Sequence, residues 1–361
     1  MPTHPHERPR KGRGATLNLE GRFATCERTR DDDGWGSLDE PLPPLETVVR
    51  PEASRSIVTR NVSPDIPFAL SINPYRGCEH GCIYCYARPS HAYVDLSPGL
   101  DFETKLFYKR DAAARLAETF RKRTYEPSPI TLGANTDAYQ PIERELRVTR
   151  SILEVMRDFR HPVTIITKSA LVLRDLDILA ELAANNLVQV SVSITSLDPE
   201  IKRTLEPRAA GPAARLRVIR ELSQAGVPTG VMIAPVIPAI TDREIEHIVA
   251  AAAEAGAERA GYVMLRLPYE VKTLFRAWLD AHYPERAAHV MSIVRAMRGG
   301  RDNDPCFGSR MRGEGPYAEL IANRFRVACR RHGLPRVETR ALRTDLFAPP
   351  PRRGDQLDLL G

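Results

Sequence analysis

The chain has 361 residues, 42% of them hydrophobic and 27% charged, with a net charge of +6. That apolar fraction can build a sizeable core in one large α/β domain or two small ones, and it excludes a chain disordered throughout. The basic excess is too mild to imply nucleic acid by itself, the N-terminus MPTHPHERPRKGRG lacks the apolar segment of a secretory leader, and no run of about 18 apolar residues predicts a membrane span.

Residues 1–60 are rich in Pro, Gly, Arg and Asp, as in RPRKGRG, RDDDGWG and DEPLPPLE, and predict a mostly irregular N-terminal arm. A short buried strand follows at 68–73 and leads into a cysteine-bearing loop. Helices are expected at 111–123, 143–159, 171–186, 212–226 and 241–256, alternating with strands at 129–137, 163–169, 187–195, 228–238 and 261–268. Gly226 reads as a helix C-cap, and Thr241 with Glu244 reads as a capping box. The β-rich runs are short, apolar and β-branched, as expected of parallel strands covered on both faces. Polar residues sit at their C-terminal ends: Asn135-Thr136-Asp137, Lys168-Ser169, Ser193 and Thr195. Barrel-type folds and open doubly wound sheets both carry their chemistry on that edge, so the placement does not separate the two.

After residue 268 the pattern is helical, at 271–282, 284–298 and 316–332. Segment 308–343 holds nine arginines (310, 312, 324, 326, 330, 331, 336, 340 and 343) against Glu314, Glu319 and Glu338. Helical spacing puts Tyr317, Leu320, Ile321, Arg324 and Ala328 on one face, so Arg324 either snorkels outward or points at an anion. With Tyr317 and Phe325 the segment reads as a solvated basic surface or as a nucleic-acid footprint. Residues 346–361 read as a flexible tail.

Six cysteines are too few for a disulfide scaffold at this length. Cys78, Cys82 and Cys85 are spaced C-x3-C-x2-C, which fits thiolate ligands in a reducing cytoplasm. Two metal readings follow. His80 or His91 could complete a Cys3His zinc knuckle. Alternatively, a [4Fe–4S] cube held by three thiolates leaves its fourth iron open to a small molecule. Cys26, Cys306 and Cys329 are scattered, form no second CxxC, and read as small apolar residues.

The stretches GCEHGCIYCYAR, GANTDAYQPIE, ITKS, SVSITSLD, LEPRAAGP and APVIPAITD resemble the radical S-adenosylmethionine (SAM) superfamily. Within it they are most similar to an uncharacterised bacterial branch related to spore photoproduct lyases. The resemblance spans residues 65–300 and implies an α/β fold, a partial (β/α)6 TIM-type barrel. Its core would occupy 61–300, behind the irregular arm and ahead of a helical, arginine-rich extension at 301–345. It implies that Cys78, Cys82 and Cys85 hold a [4Fe–4S] cluster whose open iron chelates SAM. Reductive cleavage of SAM would yield a 5′-deoxyadenosyl radical that abstracts hydrogen from a substrate. Tyr84, Asn135, Asp137, Lys168, Ser193 and Arg208 are the implied SAM contacts. An electron donor such as flavodoxin or ferredoxin and a nucleic-acid substrate are the implied partners, and the cytoplasm the implied location. Spore photoproduct lyases carry a donor cysteine near the end of the second strand, where this chain has Ala134-Asn135-Thr136, so the resemblance does not carry repair of that lesion. Cys306, before FGSRMRG, is a weak candidate for a hydrogen-atom donor. The competing reading is a zinc-stabilised nucleic-acid-binding protein without catalysis.

Overall fold

A computed structural model describes residues 9–24, 45–54, 56–334 and 341–351. Among these, the strands are β1 (Val48–Pro51), β2 (Thr59–Arg60), β3 (Leu70–Ile72), β4 (Tyr75–Arg76), β5 (Lys105–Tyr108), β6 (Ile130–Leu132), β7 (Val163–Thr167), β8 (Val188–Ser193), β9 (Thr229–Val236) and β10 (Arg259–Met264). The helices are α1 (Leu100–Thr104), α2 (Ala112–Phe120), α3 (Glu143–Leu146), α4 (Val148–Asp158), α5 (Leu176–Ala184), α6 (Pro199–Leu205), α7 (Pro212–Gln224), α8 (Ile245–Glu254), α9 (Val271–His282), α10 (Pro284–Ala296) and α11 (Pro316–Arg331).

The main sheet runs β10-β9-β8-β7-β6-β3-β2. Its members from β3 to β10 are parallel, and β2 adds antiparallel to β3 at one edge. The six expected strands are therefore present and adjacent in chain order, as a partial barrel requires; the sheet stays open between β10 and β2. Right-handed crossovers through α-helices join such strands, because twisted parallel strands pack back onto their sheet only that way. Ile130, Leu132, Val163, Ile165, Val188, Val190, Val192, Val231 and Ile233 are fully buried, which explains the near-continuous apolar reading of each strand.

Several boundaries differ from the sequence expectation for physical reasons. The helix expected at 143–159 breaks at Arg147, which adopts a left-handed φ of 51° between α3 and α4. The capping box at Thr241 does not form. Thr241 Oγ1 instead accepts from the Ile237 amide at 2.9 Å, and the Glu244 carboxylate accepts from Ser196 Oγ and the Leu197 amide, both at 2.7 Å. Gly226 does end α7, with φ of 75°. In α11 the buried stripe is Ala318, Ile321, Phe325 and Ala328, so Leu320 faces solvent and Phe325 does not. Arg324 neither snorkels nor points at a free anion: it forks onto Glu246 of α8 with two bonds of 2.7 Å. Cys329 is buried in the core, as expected of a small apolar residue. Cys26, Arg336, Arg340 and residues 352–361 of the tail lie outside the described residues.

The N-terminal arm departs furthest from its expectation. Its backbone is irregular, yet Gly14, Ala15 and Thr16 are buried against the cysteine loop. A small second sheet, β1-β5-β4, lies between arm and barrel. Leu132, fully buried, ends β6, an interior strand of the main sheet. Leu132→Ala should lower unfolding free energy by about 2–5 kcal/mol, through lost burial plus a cavity; urea denaturation of the metal-free chain would measure it, and a change under about 1 kcal/mol would contradict this packing.

Candidate active site

The cysteine loop leaves β3 through β4 and winds back over the sheet's C-terminal edge. Its turns are closed by bonds from Gly81 N to Cys78 O at 3.4 Å, Cys85 N to Cys82 O at 3.2 Å and Arg88 N to Cys85 O at 3.2 Å. Gly81 sits at a φ of 68°, where only glycine is unstrained, and a side chain there would strike the Glu103 carboxylate. Arg88 is fully buried and ties the loop from behind. It donates to the carbonyls of Cys82 (2.9 Å), Gly81 (3.1 Å), Pro98 (3.1 Å) and Gly99 (2.9 Å), and to Glu103 Oε1 at 2.6 Å. Glu103 in turn accepts from the amides of Gly14 (3.0 Å) and Ala15 (2.8 Å). A Cβ on Gly14 would lie 1.8 Å from the Gly81 carbonyl oxygen, so the arm seats directly on the loop.

Cys78 and Cys82 are buried and Cys85 is half-buried. Burial pushes all three thiols up, Cys82 to about 12, and the neighbouring Cys85 adds to the shift of both Cys78 and Cys82. The three thiols share one loop, but among the described residues no three Cys, His, Asp or Glu side chains form a group placed to hold a metal ion; ligation would have to draw them together and release their protons. The two histidines weighed for a zinc knuckle, His80 and His91, are both buried, each with an Nδ1 that has no hydrogen-bond partner. His91 points Nε2 at the Lys105 carbonyl (2.9 Å) and packs edge-on against Phe102, and burial lowers its pKa to about 4. His80 Nδ1 lies 3.4 Å from Asp137 Oδ2.

The strand ends bring the other expected residues together. Lys168 Nζ donates to Ser193 Oγ at 2.9 Å and lies 5.9 Å from the centre of the Tyr84 ring. The Tyr84 hydroxyl turns inward to Glu206 and to Thr195 Oγ1. Asp137 is spent on the protein: it accepts from Thr167 Oγ1 (2.8 Å) and the amides of Lys168 (2.7 Å) and Tyr139 (2.9 Å). Burial raises its pKa, but His80 and those amides outweigh burial and hold it at about 2. Asn135 is exposed at the end of β6, with its amide bonded to Asn73 Oδ1 at 2.9 Å. Arg208 pairs with Glu79 at 3.0 Å and not with Glu206.

Glu206 instead pairs with the buried Arg215 and also accepts from Thr195 Oγ1 at 2.8 Å. Arg215 reaches the Ser193 carbonyl at 2.8 Å as well, so one buried pair braces β8, Tyr84 and α7. Burial raises the Glu206 pKa, but Arg215 first, then Lys168 and the bonds from Tyr84 and Arg215, bring it to about 2. Sequence reasoning missed this pair. The available signal was Arg215 sharing the buried helical face of Val218, Ile219 and Leu222. Nothing in the local pattern pointed to Glu103.

The model of the radical SAM superfamily matches residues 72–252. An uncharacterised protein of Mycobacterium tuberculosis is 36% identical over 232 residues, covering 64% of this chain and 68% of the relative. One of Methanocaldococcus jannaschii is 28% identical over 214 residues, covering 59% and 76%. Spore photoproduct lyase, solved in complex with dinucleoside spore photoproduct, superposes with a TM-score of 0.56 over 79% of each chain at 17% identity, a likeness of fold. The open six-strand parallel sheet with this loop on its C-terminal edge is of the partial-barrel α/β class. The chain belongs to the radical SAM superfamily, whose cofactors are a [4Fe–4S] cluster and SAM.

Two predictions follow from these buried pairs. Glu103→Ala leaves Arg88 buried without its carboxylate and should cost about 3–5 kcal/mol of stability; circular dichroism with urea would read it, and an unchanged midpoint would refute the bracing role. Glu206 has a pKa below its ordinary value of 4.5, so its contribution is full above about pH 5 and is lost as pH falls through about 2. Glu206→Gln should therefore flatten the acid limb of stability in that window, and an acid limb as steep as wild type would show the carboxylate contributes nothing there.

Proposed function

We propose that Cys78, Cys82 and Cys85 hold the [4Fe–4S] cluster and that Lys168, Ser193, Tyr84, Asn135, Asp137 and Arg208 form the SAM-binding side of the site. The carrying observation is one loop bearing three cysteines, Cys78 and Cys82 buried and Cys85 half-buried, whose Tyr84 ring lies 5.9 Å from Lys168 Nζ, with Lys168 and Ser193 at the ends of two successive parallel strands. Held by these cysteines, the cluster would supply one-electron reductive cleavage of SAM and, through it, hydrogen-atom abstraction from substrate. The protein orients and encloses that chemistry. Lys168 offers a point cation to carboxylate or ribose oxygens, held toward the loop by Ser193. Asn135 presents an exposed amide side chain at the same edge. Tyr84, Asp137 and Arg208 act by position: Tyr84 through Glu206, Asp137 through the Lys168 amide, and Arg208 through Glu79 beside the loop.

In this reading 61–300 is the catalytic core, a flavodoxin- or ferredoxin-like protein supplies the electron, and the enzyme works in the reducing cytoplasm as a lyase or oxidoreductase on nucleic acid. The extension at 308–343 contributes less to a nucleic-acid surface than its charge suggests. Arg310, Arg324 and Arg343 pair with Asp65, Glu246 and Asp345, Phe325 is buried, and the Tyr317 hydroxyl is bonded to Asp242. Cys306 is exposed beside Pro305, which lines a cleft at the end of β10, and remains the candidate hydrogen donor.

Anaerobically reconstituted chain should carry about four irons and release 5′-deoxyadenosine from SAM under dithionite. Cys82→Ala should abolish both, and retained SAM cleavage would refute the ligand assignment. Lys168→Ala should keep the iron content but raise the KM for SAM about tenfold, the weight of one charge-assisted bond; an unchanged KM would remove Lys168 from the SAM site.

A further inference from the structure

Beyond the end of β10, Arg266, Tyr269, Lys272, Arg301 and Arg310 line a cleft of about 570 Å³. Its single acid, Asp302, is already paired with Arg276 at 2.7 Å and Arg295 at 2.9 Å. Arg266 makes no salt bridge among the described residues: its Nε is buried without a partner and its Nη1 reaches only Met311 Sδ at 3.5 Å. Arg310 is paired with Asp65, whereas Lys272 and Arg301, like Arg266, make no salt bridge among the described residues. The cleft also adjoins the cysteine loop. Arg266 lies 5.8 Å from the ring centre of Tyr86, which directly follows Cys85 and bonds through its hydroxyl to the Ala134 carbonyl at the end of β6.

The second observation is aromatic. Every exposed aromatic side chain of Phe, Tyr or Trp among the described residues lies against an arginine of this surface. Arg22 sits over Phe23, Tyr93 and Tyr269, Arg266 over Tyr86, and Arg310 over Phe307. Tyr269 is 63% exposed and held at a left-handed φ of 50°, a strained backbone for a bulky residue. Such strain is kept where the surrounding structure imposes it, and it clusters at ligand-binding positions. Phosphate-seeking guanidinium groups interleaved with exposed rings are the recognition elements for unpaired bases on a backbone, since every base offers a face to stack.

We infer that this cleft binds a single-stranded segment of nucleic acid, with Arg266, Lys272 and Arg301 on its phosphates and Tyr269 and Tyr86 stacking unpaired bases beside the cysteine loop. This deepens the proposed function and rests on it for the claim that the bound strand is substrate. The concavity and the stacked rings favour a strand over an acidic protein docking for electron transfer.

The test is fluorescence anisotropy of the reconstituted full chain with labelled single-stranded oligonucleotides of roughly 12 nucleotides, DNA and RNA in separate arms. Salt-dependent binding is expected, weaker for a duplex of the same sequence; the tighter arm identifies the source of the strand. Tyr269→Asn preserves the left-handed backbone and removes the ring, and should weaken binding about tenfold. Lys272→Gln and Arg301→Gln, both at exposed positions, should each reduce the slope of log K against log salt by about 0.7. No binding, binding unaffected by these variants, or variants that impair only docking of a reduced flavodoxin would overturn the inference. Release of 5′-deoxyadenosine by the wild type without oligonucleotide reports separately on the radical reading. A chain that cleaves SAM but binds no strand overturns this inference alone; one that binds but does not cleave overturns the proposed function alone.

Discussion

The site depends on one buried charge pair, Arg88 with Glu103. A loop carrying three thiols cannot hold its shape by its own hydrogen bonds, because its turns leave carbonyls pointing into the protein. Arg88 satisfies those of Gly81 and Cys82 and fixes the loop to the segment at Pro98–Gly99. A guanidinium buried this deeply is tolerated only because Glu103 answers it and because the remaining carboxylate capacity is filled by the Gly14 and Ala15 amides. The arm, the loop and α1 thereby become one unit.

A second buried pair, Glu206 with Arg215, does similar work on the opposite side of the loop. It holds the Tyr84 hydroxyl, the Thr195 hydroxyl and the end of β8 in one network. Lys168 is the half-buried cation left facing the cysteines between these braces, bonded to a neutral serine. Charged groups used for architecture are thus paired and buried. In the cleft beyond β10, Arg310 is paired with Asp65, while Arg266, Lys272 and Arg301 make no salt bridge among the described residues.

The strands were legible because burial on both faces imposes one composition, apolar and β-branched, whatever the neighbours. The cysteine loop was legible because three cysteines within eight positions stand out by spacing alone. Asp137 and Arg208 were legible as polar residues on the active edge, but their partners were not: Asp137 faces His80 and the Lys168 amide, and Arg208 faces Glu79. Arg324 looked like a free cation on an apolar stripe, and its partner Glu246 lies 78 positions away.

Local pattern therefore determined the alternation of strand and helix, the cysteine loop and the polar C-terminal edge of the strands, since each is written in residue type at short separation. The tertiary structure alone decided that residues 14–16 of an irregular arm are buried against that loop and that Glu103 rather than any loop residue anchors it. It also decided that Arg266 and Tyr269 line one cleft and that Tyr86 of the cysteine loop lies against Arg266. Those contacts join segments tens to hundreds of positions apart, and no periodicity records a partner that only folding brings near.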